Sequence, residues 1–117
     1  MSARELDPLR EHAMRTPKAP ALRCGETMLT YAVLDACAER LKEQFADAGV
    51  GDGVRVGVMM AASAASVATL FALLRLRAVA VCLNVRNPDD VLVAQLCELG
   101  AERVIVDVDN QREFHGV

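Results

Sequence analysis

The sequence predicts an α/β fold: a three-layer βαβαβ unit with a short parallel sheet, preceded by an N-terminal helix and a small β-hairpin. Three observations carry that expectation. Short runs rich in β-branched residues recur near positions 54, 79 and 104. Between them lie longer segments whose apolar residues step by three and four, the period of a helix packed on one face. Gly49 and Gly100 stand between a helical segment and the next run, where a left-handed residue ends a helix. Runs joined through helices pair in parallel with right-handed crossovers. Their nearly continuous Val, Ile, Met and Ala content suits strands covered on both faces.

The elements follow in order. Leu6 to Thr16 carries apolar residues at Leu6, Leu9, Ala13 and Met14, a short amphipathic helix stopped by Pro17. Pro17 and Pro20 bracket a turn. Ala21 to Cys24 and Met28 to Leu29 form a hairpin turning at Gly25 and Glu26. Thr30 can cap the next helix by accepting a free backbone N–H in its first turn, although Val33 cannot reciprocate as the carboxylate of a capping box would. Tyr31, Leu34, Ala38, Leu41, Phe45 and Ala48 form its buried stripe, and Asp35, Glu39, Lys42 and Glu43 are expected on its surface.

The glycine-rich stretch AGVGDGVRVGV, residues 48–58, poses a choice between a phosphate loop and a corner. A phosphate loop needs its glycines after a strand and before a helix, where free N–H groups and the positive helix end meet the anion. Here the order is reversed and the G-x-G-x-x-G spacing fails, so Gly49 reads as a helix C-cap, Gly51 and Gly53 as the turn, and Val54 to Met60 as the strand that follows. A helix from Ala64 to Arg77 with Val67, Leu70, Phe71 and Leu74 inward leads to a strand from Val79 to Leu83. Asn87 then caps a helix with Pro88 first, Asp89 and Asp90 in its positive first turn, and Leu92, Val93, Leu96 and Leu99 inward. Gly100 closes it, Arg103 to Val108 is the last strand, and 109–117 is a polar tail.

With 117 residues the chain has room for one domain, expected to span 1–117. Hydrophobic residues make up 53% and aromatics 3%, so the core must be aliphatic. A net charge of −3 offers no basic field for nucleic acid or acidic lipid. The uncharged run 56–74 is long enough to cross a bilayer, yet it opens on β-branched residues around Gly57 and is rich in Ala, Ser and Thr; a buried strand followed by a buried helix fits it better. Cys24, Cys37, Cys82 and Cys97 are widely spaced among small or apolar neighbours and read as reduced core residues of a cytoplasmic protein. They show no zinc-ligand spacing, and His12 and His115 lie near opposite ends of the chain, so no metal site is expected. The charged N-terminal residues contain no secretory signal.

Four segments in order resemble the N-terminal part of the adenylate-forming enzymes, the AMP-producing acyl- and aryl-CoA synthetases, luciferases and peptide-synthetase adenylation domains. They are PLREHAMRTPKAPAL, LTYAVLDACAERLKEQFADAGVGDGVRV, ALLRLRAVAVCLNVRNP and QLCELGAERVIVD. LLRLRAVAVCLNVR resembles the 2-succinylbenzoate-CoA ligases in particular. The chain departs from the family pattern where Arg77 replaces a usual Gly, Cys82 and Val85 stand where Pro is common, Val54 replaces an Asp, and Ala61-Ala62 replaces a Pro-Asn pair. The resemblance implies ATP, Mg²⁺, a carboxylic acid and CoA for a full-length member. The chain carries no segment like the family's phosphate loop, ribose-binding acid or C-terminal lysine domain, so no cofactor is expected for this chain alone, and no catalytic, cofactor-binding or metal residue is assigned.

Three functions remain open at the level of sequence. The chain is the scaffold portion of such a ligase, whose partner is the remainder of the enzyme; or it is a stand-alone module that self-associates through an exposed sheet edge or apolar face. The third is an independent small-molecule binder using the crevice beyond the strand ends, near Met59 to Ser63 and Asn84 to Asn87. There Ser63, Asn84 and Arg86 are the polar candidates, with capping and loop solvation as their plainer roles. Ser63 and Ser66 lack the elbow of a hydrolase nucleophile, and His12, with no carboxylate or nucleophile locally paired with it, reads as a surface helix residue rather than an acid or base.

Overall fold

The computed structural model describes residues 7–107. Helix α1 spans Pro8–Arg15, with Asp7 as its N-cap accepting the Arg10 N–H at 3.1 Å and Pro8 at the first position, where a missing N–H costs nothing. Leu6 lies outside the described residues. The hairpin pairs β1, Pro20–Cys24, with β2, Thr27–Thr30, in antiparallel fashion, with Cys24 opposite Thr27 across the two expected turn residues. Thr30 caps α2, Tyr31–Asp47, through a bond from the Val33 N–H.

The chain then runs through β3, Arg55–Met59, α3, Ala64–Arg75, β4, Val79–Cys82, α4, Asp89–Glu98, and β5, Arg103–Val106. All three strands are parallel, in the order β4-β3-β5. Successive residues of β3 face opposite layers. Val56 and Val58 pack with Val50 and Leu73 beneath α2 and α3, whereas Met59 packs with Leu92 and Leu96 of α4. Gly57 points the same way as Met59, against Leu96. The expected three layers are therefore α2 and α3, the sheet, and α4. The uncharged run 56–74 divides into β3 and α3, and among the described residues no helix is long and apolar enough to cross a membrane.

Each helix entering the sheet ends in the same way. The apolar residue two past the helix cap donates its N–H back to the last turn: Val50 to Phe45, Ala78 to Leu73 and Ala101 to Leu96, each at 3.0 Å. The residue before it must be left-handed, and the values of φ are 93° at Gly49, 57° at Arg77 and 68° at Gly100. Arg77 therefore occupies a corner that its two counterparts give to glycine, at a cost of about 1–2 kcal/mol. Its conformation is locked by the Gly53 N–H, which donates to the Arg77 carbonyl at 3.0 Å. Arg77→Gly should raise stability by about 1 kcal/mol, less what glycine adds to the freedom of the unfolded chain, and a thermal melt should shift upward by a few degrees.

Several expectations need correction. α3 stops at Arg75 rather than Arg77 because residues 76 and 77 are taken by the corner. Its Leu70 and Leu74 are 39% and 41% exposed, whereas Ala68, Thr69, Ala72 and Leu73 are buried: the buried stripe uses small residues that let α2 approach. α4 starts at Asp89 with Pro88, not Asn87, at the N-cap and no side-chain cap, because Asn87 closes a turn onto the Asn84 carbonyl. Leu99, expected inward, is the C-cap and is exposed. The last strand ends at Val106; Val108 and the tail 109–117 lie outside the described residues. The cysteines are free, but Cys37, Cys82 and Cys97 are exposed and only Cys24 is half-buried. Cys82 sits on an edge strand, and Cys37 and Cys97 lie on outward helix faces, so small neighbours in sequence did not mean burial in space.

Candidate functional site

Two regions concentrate polar side chains. The first is the crevice beyond the C-terminal ends of the strands. Ser63 caps α3, its Oγ accepting the Ser66 N–H at 3.2 Å, while Ser66 Oγ accepts the Ser63 N–H at 2.9 Å. This reciprocal box uses serine where a glutamate is usual, and its only sequence signal is the three-residue spacing. Asn84 Oδ1 accepts the Arg86 N–H at 2.9 Å, closing a local turn, and the Ala61 N–H donates to Asp107 Oδ2 at 3.1 Å. Asp107, which ties the end of β5 to the loop after β3, was not singled out in sequence.

These bonds decide what the crevice can hold. An anion at the start of α3 would need the free N–H groups of the loop and first turn. Those of Ala61, Ser63 and Ser66 already have acceptors, and the Asp107 carboxylate would face the incoming charge. The crevice therefore opposes an anion with the Asp107 carboxylate and has three of its backbone donors already engaged. Among the described residues no group of three or more His, Cys, Asp or Glu could hold a metal ion. His12 is exposed and stacks on Tyr31, ring centroids 5.0 Å apart at 22°, joining α1 to the start of α2.

The second region was missed in sequence. Arg75, with 6% of its side chain exposed, reaches from the end of α3 to Asp7, Asp35 and Glu39. Its Nη1 donates to Glu39 Oε2 at 3.0 Å, its Nη2 bonds Asp35 Oδ1, and its Nε lies 2.7 Å from Asp7 Oδ2 without hydrogen-bond alignment. Arg10 adds bonds from Nε to Asp35 and from Nη2 to Glu39, both at 2.9 Å, and Lys42 pairs with Glu39. Asp35 and Glu39 are thus half-buried members of a network rather than surface charges. The usable signal was Arg75 itself, alone as a charge in the apolar α3, together with two carboxylates one helical turn apart on α2. The network borders a basin of about 200 Å³, lined also by Leu74 and Arg77.

The charges settle one another. Burial would raise the Asp35 carboxyl, but hydrogen bonds from Arg10 and Arg75 outweigh it and hold the group below its ordinary value. The Lys42 hydrogen bond, against a smaller burial penalty, lowers Glu39 as well. Burial pulls Arg75 down, and its bonds to Asp35 and Asp7 more than restore it, so its guanidinium titrates above the ordinary arginine value. A carboxyl depressed in the folded state contributes stability that is present above its unfolded value, near about pH 4, and lost as pH falls through the folded value. An acid titration of stability should fall below about pH 4, and Asp35→Asn should flatten that arm.

Against this geometry, residues 9–116 match the family described as AMP-binding enzyme. The chain belongs to that family. Its match is to the N-terminal portion of adenylate-forming enzymes, as the four sequence segments had indicated. This family member is 45% identical over 73 residues, 62% of its length, to a 3-hydroxybenzoate–CoA/4-hydroxybenzoate–CoA ligase of Thauera aromatica, of which it covers 14%. It is 34% identical over 88 residues, 75% of its length, to a medium/long-chain-fatty-acid–CoA ligase of Mycobacterium tuberculosis, of which it covers 15%. Its fold superposes on O-succinylbenzoate coenzyme A synthetase from Bacillus subtilis in complex with AMP, with a TM-score of 0.83 and 27% identity, over 89% of this chain and 27% of that one. The N-terminal subdomain of Klebsiella oxytoca NpsA, at 23% identity and a TM-score of 0.86, shares the fold over 95% of this chain and 28% of its own. The AMP-binding family member thus spans about a quarter of those solved chains and 15% or less of these two curated ligases.

Proposed function

We propose that the chain supplies the N-terminal scaffold portion of an ATP-dependent acyl- or aryl-CoA ligase, which joins an acid to AMP with release of pyrophosphate and then passes the acyl group to CoA. On this reading the chain carries no chemistry by itself. The observation that carries it is the crevice at the strand ends, where the Ala61, Ser63 and Ser66 N–H groups are bonded within the fold and the Asp107 carboxylate would face an incoming phosphate. The family match supports the choice of reaction, and the hydroxybenzoate and fatty-acid ligases among the relatives support an aryl or acyl acid as its substrate class. ATP, Mg²⁺ and CoA would be held by parts of a full-length member that this chain does not match.

The chain, incubated with ATP, Mg²⁺ and a panel of aryl and fatty acids, should release no pyrophosphate above a buffer control. Turnover by the chain alone would overturn the scaffold reading.

A second reading, a self-associating module, is favoured by one feature. β4 and β5 are both edge strands, and Val79 and Val104 on them are 44% and 39% exposed. Sedimentation equilibrium distinguishes the two: a monomer at high concentration removes the second reading, and a dimer abolished by Val79→Lys or Val104→Lys supports it.

A further inference from the structure

We propose that the basin enclosed by α1, α2 and α3 is a binding site for a compact phosphate-bearing anion, with Arg77 as the residue that recognises it. Two independent observations meet there.

The first is backbone strain. Of the three matching helix-to-strand corners, two use glycine and one uses Arg77 at φ 57°. Nothing in the corner itself calls for an arginine, since its bonds are made by backbone groups that glycine supplies equally. A side chain kept in a disfavoured conformation points to a role for that side chain.

The second is the state of the donors around the basin. Arg75 is spent on Asp7, Asp35 and Glu39. Arg10 uses Nε and Nη2 on carboxylates and has no partner for Nη1 among the described residues, and Lys42 directs its ammonium to Glu39 with donors to spare. Arg77 lines the same basin, and among the described residues its guanidinium has no ion-pair or hydrogen-bond partner. The cations Arg10, Lys42, Arg75 and Arg77 outnumber the carboxylates Asp7, Asp35 and Glu39 by one. An anion placed there meets a planar guanidinium able to grip two phosphate oxygens, backed by Arg10 Nη1 and Lys42. The carboxylates fix these cations in position, and a volume of about 200 Å³ has room for a phosphate or pyrophosphate group and not for a bulky ligand held whole. The shared chemistry is the phosphate itself, carried by a free polyphosphate or by an ester whose remainder extends into solvent.

The test uses the full chain, with sodium pyrophosphate and adenosine 5′-monophosphate titrated separately by calorimetry at constant ionic strength. The first probe stands for a free anion and the second for an ester. Saturable binding of either probe is expected, with affinity reduced roughly tenfold or more in Arg77→Gly. That variant relieves strain, so a loss of binding cannot be put down to failure to fold; its melting curve provides the check. Binding of pyrophosphate alone assigns a free anion, and binding of the nucleotide alone assigns an ester. Absence of saturable binding to both, or equal affinity in Arg77→Gly and the unaltered chain, would overturn the proposal.

Discussion

Gly57→Val should lower stability by about 2–4 kcal/mol and the melting temperature by about 10 °C. Gly57 is buried in the middle of β3, and a Cβ built on it runs into Leu96 Cδ2. Leu96 is 1% exposed and packs with Met59 and Leu92, so it has nowhere to turn. The alternative is to lift α4 from the sheet, which would open the layer formed by Met59, Leu92 and Leu96. Gly57→Ala should show the same direction at about half the size, since alanine also reduces the freedom of the unfolded chain. Thermal melts of both variants check this; an unchanged melting temperature for Gly57→Val would mean that α4 does not sit on β3 as described.

Arg75→Met is expected to cost about 2–4 kcal/mol. Methionine fills much of the same space but leaves Asp7, Asp35 and Glu39 without the guanidinium that joined them. Arg10 and Lys42 still hold Asp35 and Glu39, which keeps the loss below that of a fully orphaned buried charge. Asp35 and Glu39, no longer held down by Arg75, become easier to protonate, so the deficit relative to the unaltered chain should shrink as the solution is acidified below about pH 5. Denaturant melts at neutral and acid pH read both effects. A deficit independent of pH would assign the loss to packing alone.

The α/β order was legible because it rests on local signals: the 3.6-residue step of α2, the cap at Thr30, the glycines at 49 and 100, and the valine runs between them. Placement between layers was not. Leu70 and Leu74 match a helical apolar face as well as Ala68 and Ala72 do, and the packing of α2 chose the smaller pair. The cysteines misled for the same reason, since apolar neighbours along the chain do not state which face of an edge strand or helix a side chain takes. The crevice roles of Ser63 and Asn84 were visible as caps and turns because those bonds span three residues or fewer. The network around Arg75 joins residues from α1, α2 and α3 that are far apart in sequence, and only folding brings them together. Arg77 is the instructive intermediate case: its departure from a usual glycine could be read in the chain, and the left-handed backbone confirms the constraint.

The order β4-β3-β5 has a further consequence for how the molecule assembles. Val56 pairs with Ala80 on one side and with Arg103 on the other, so the central ladder gains its second flank only after the polypeptide has passed over the opposite face of the sheet. During synthesis the β3–β4 pair can close first, leaving a row of amide and carbonyl groups bare along β3 until residue 106 emerges. The most vulnerable moment of the fold therefore falls late, and it ends when the final strand seals the middle one.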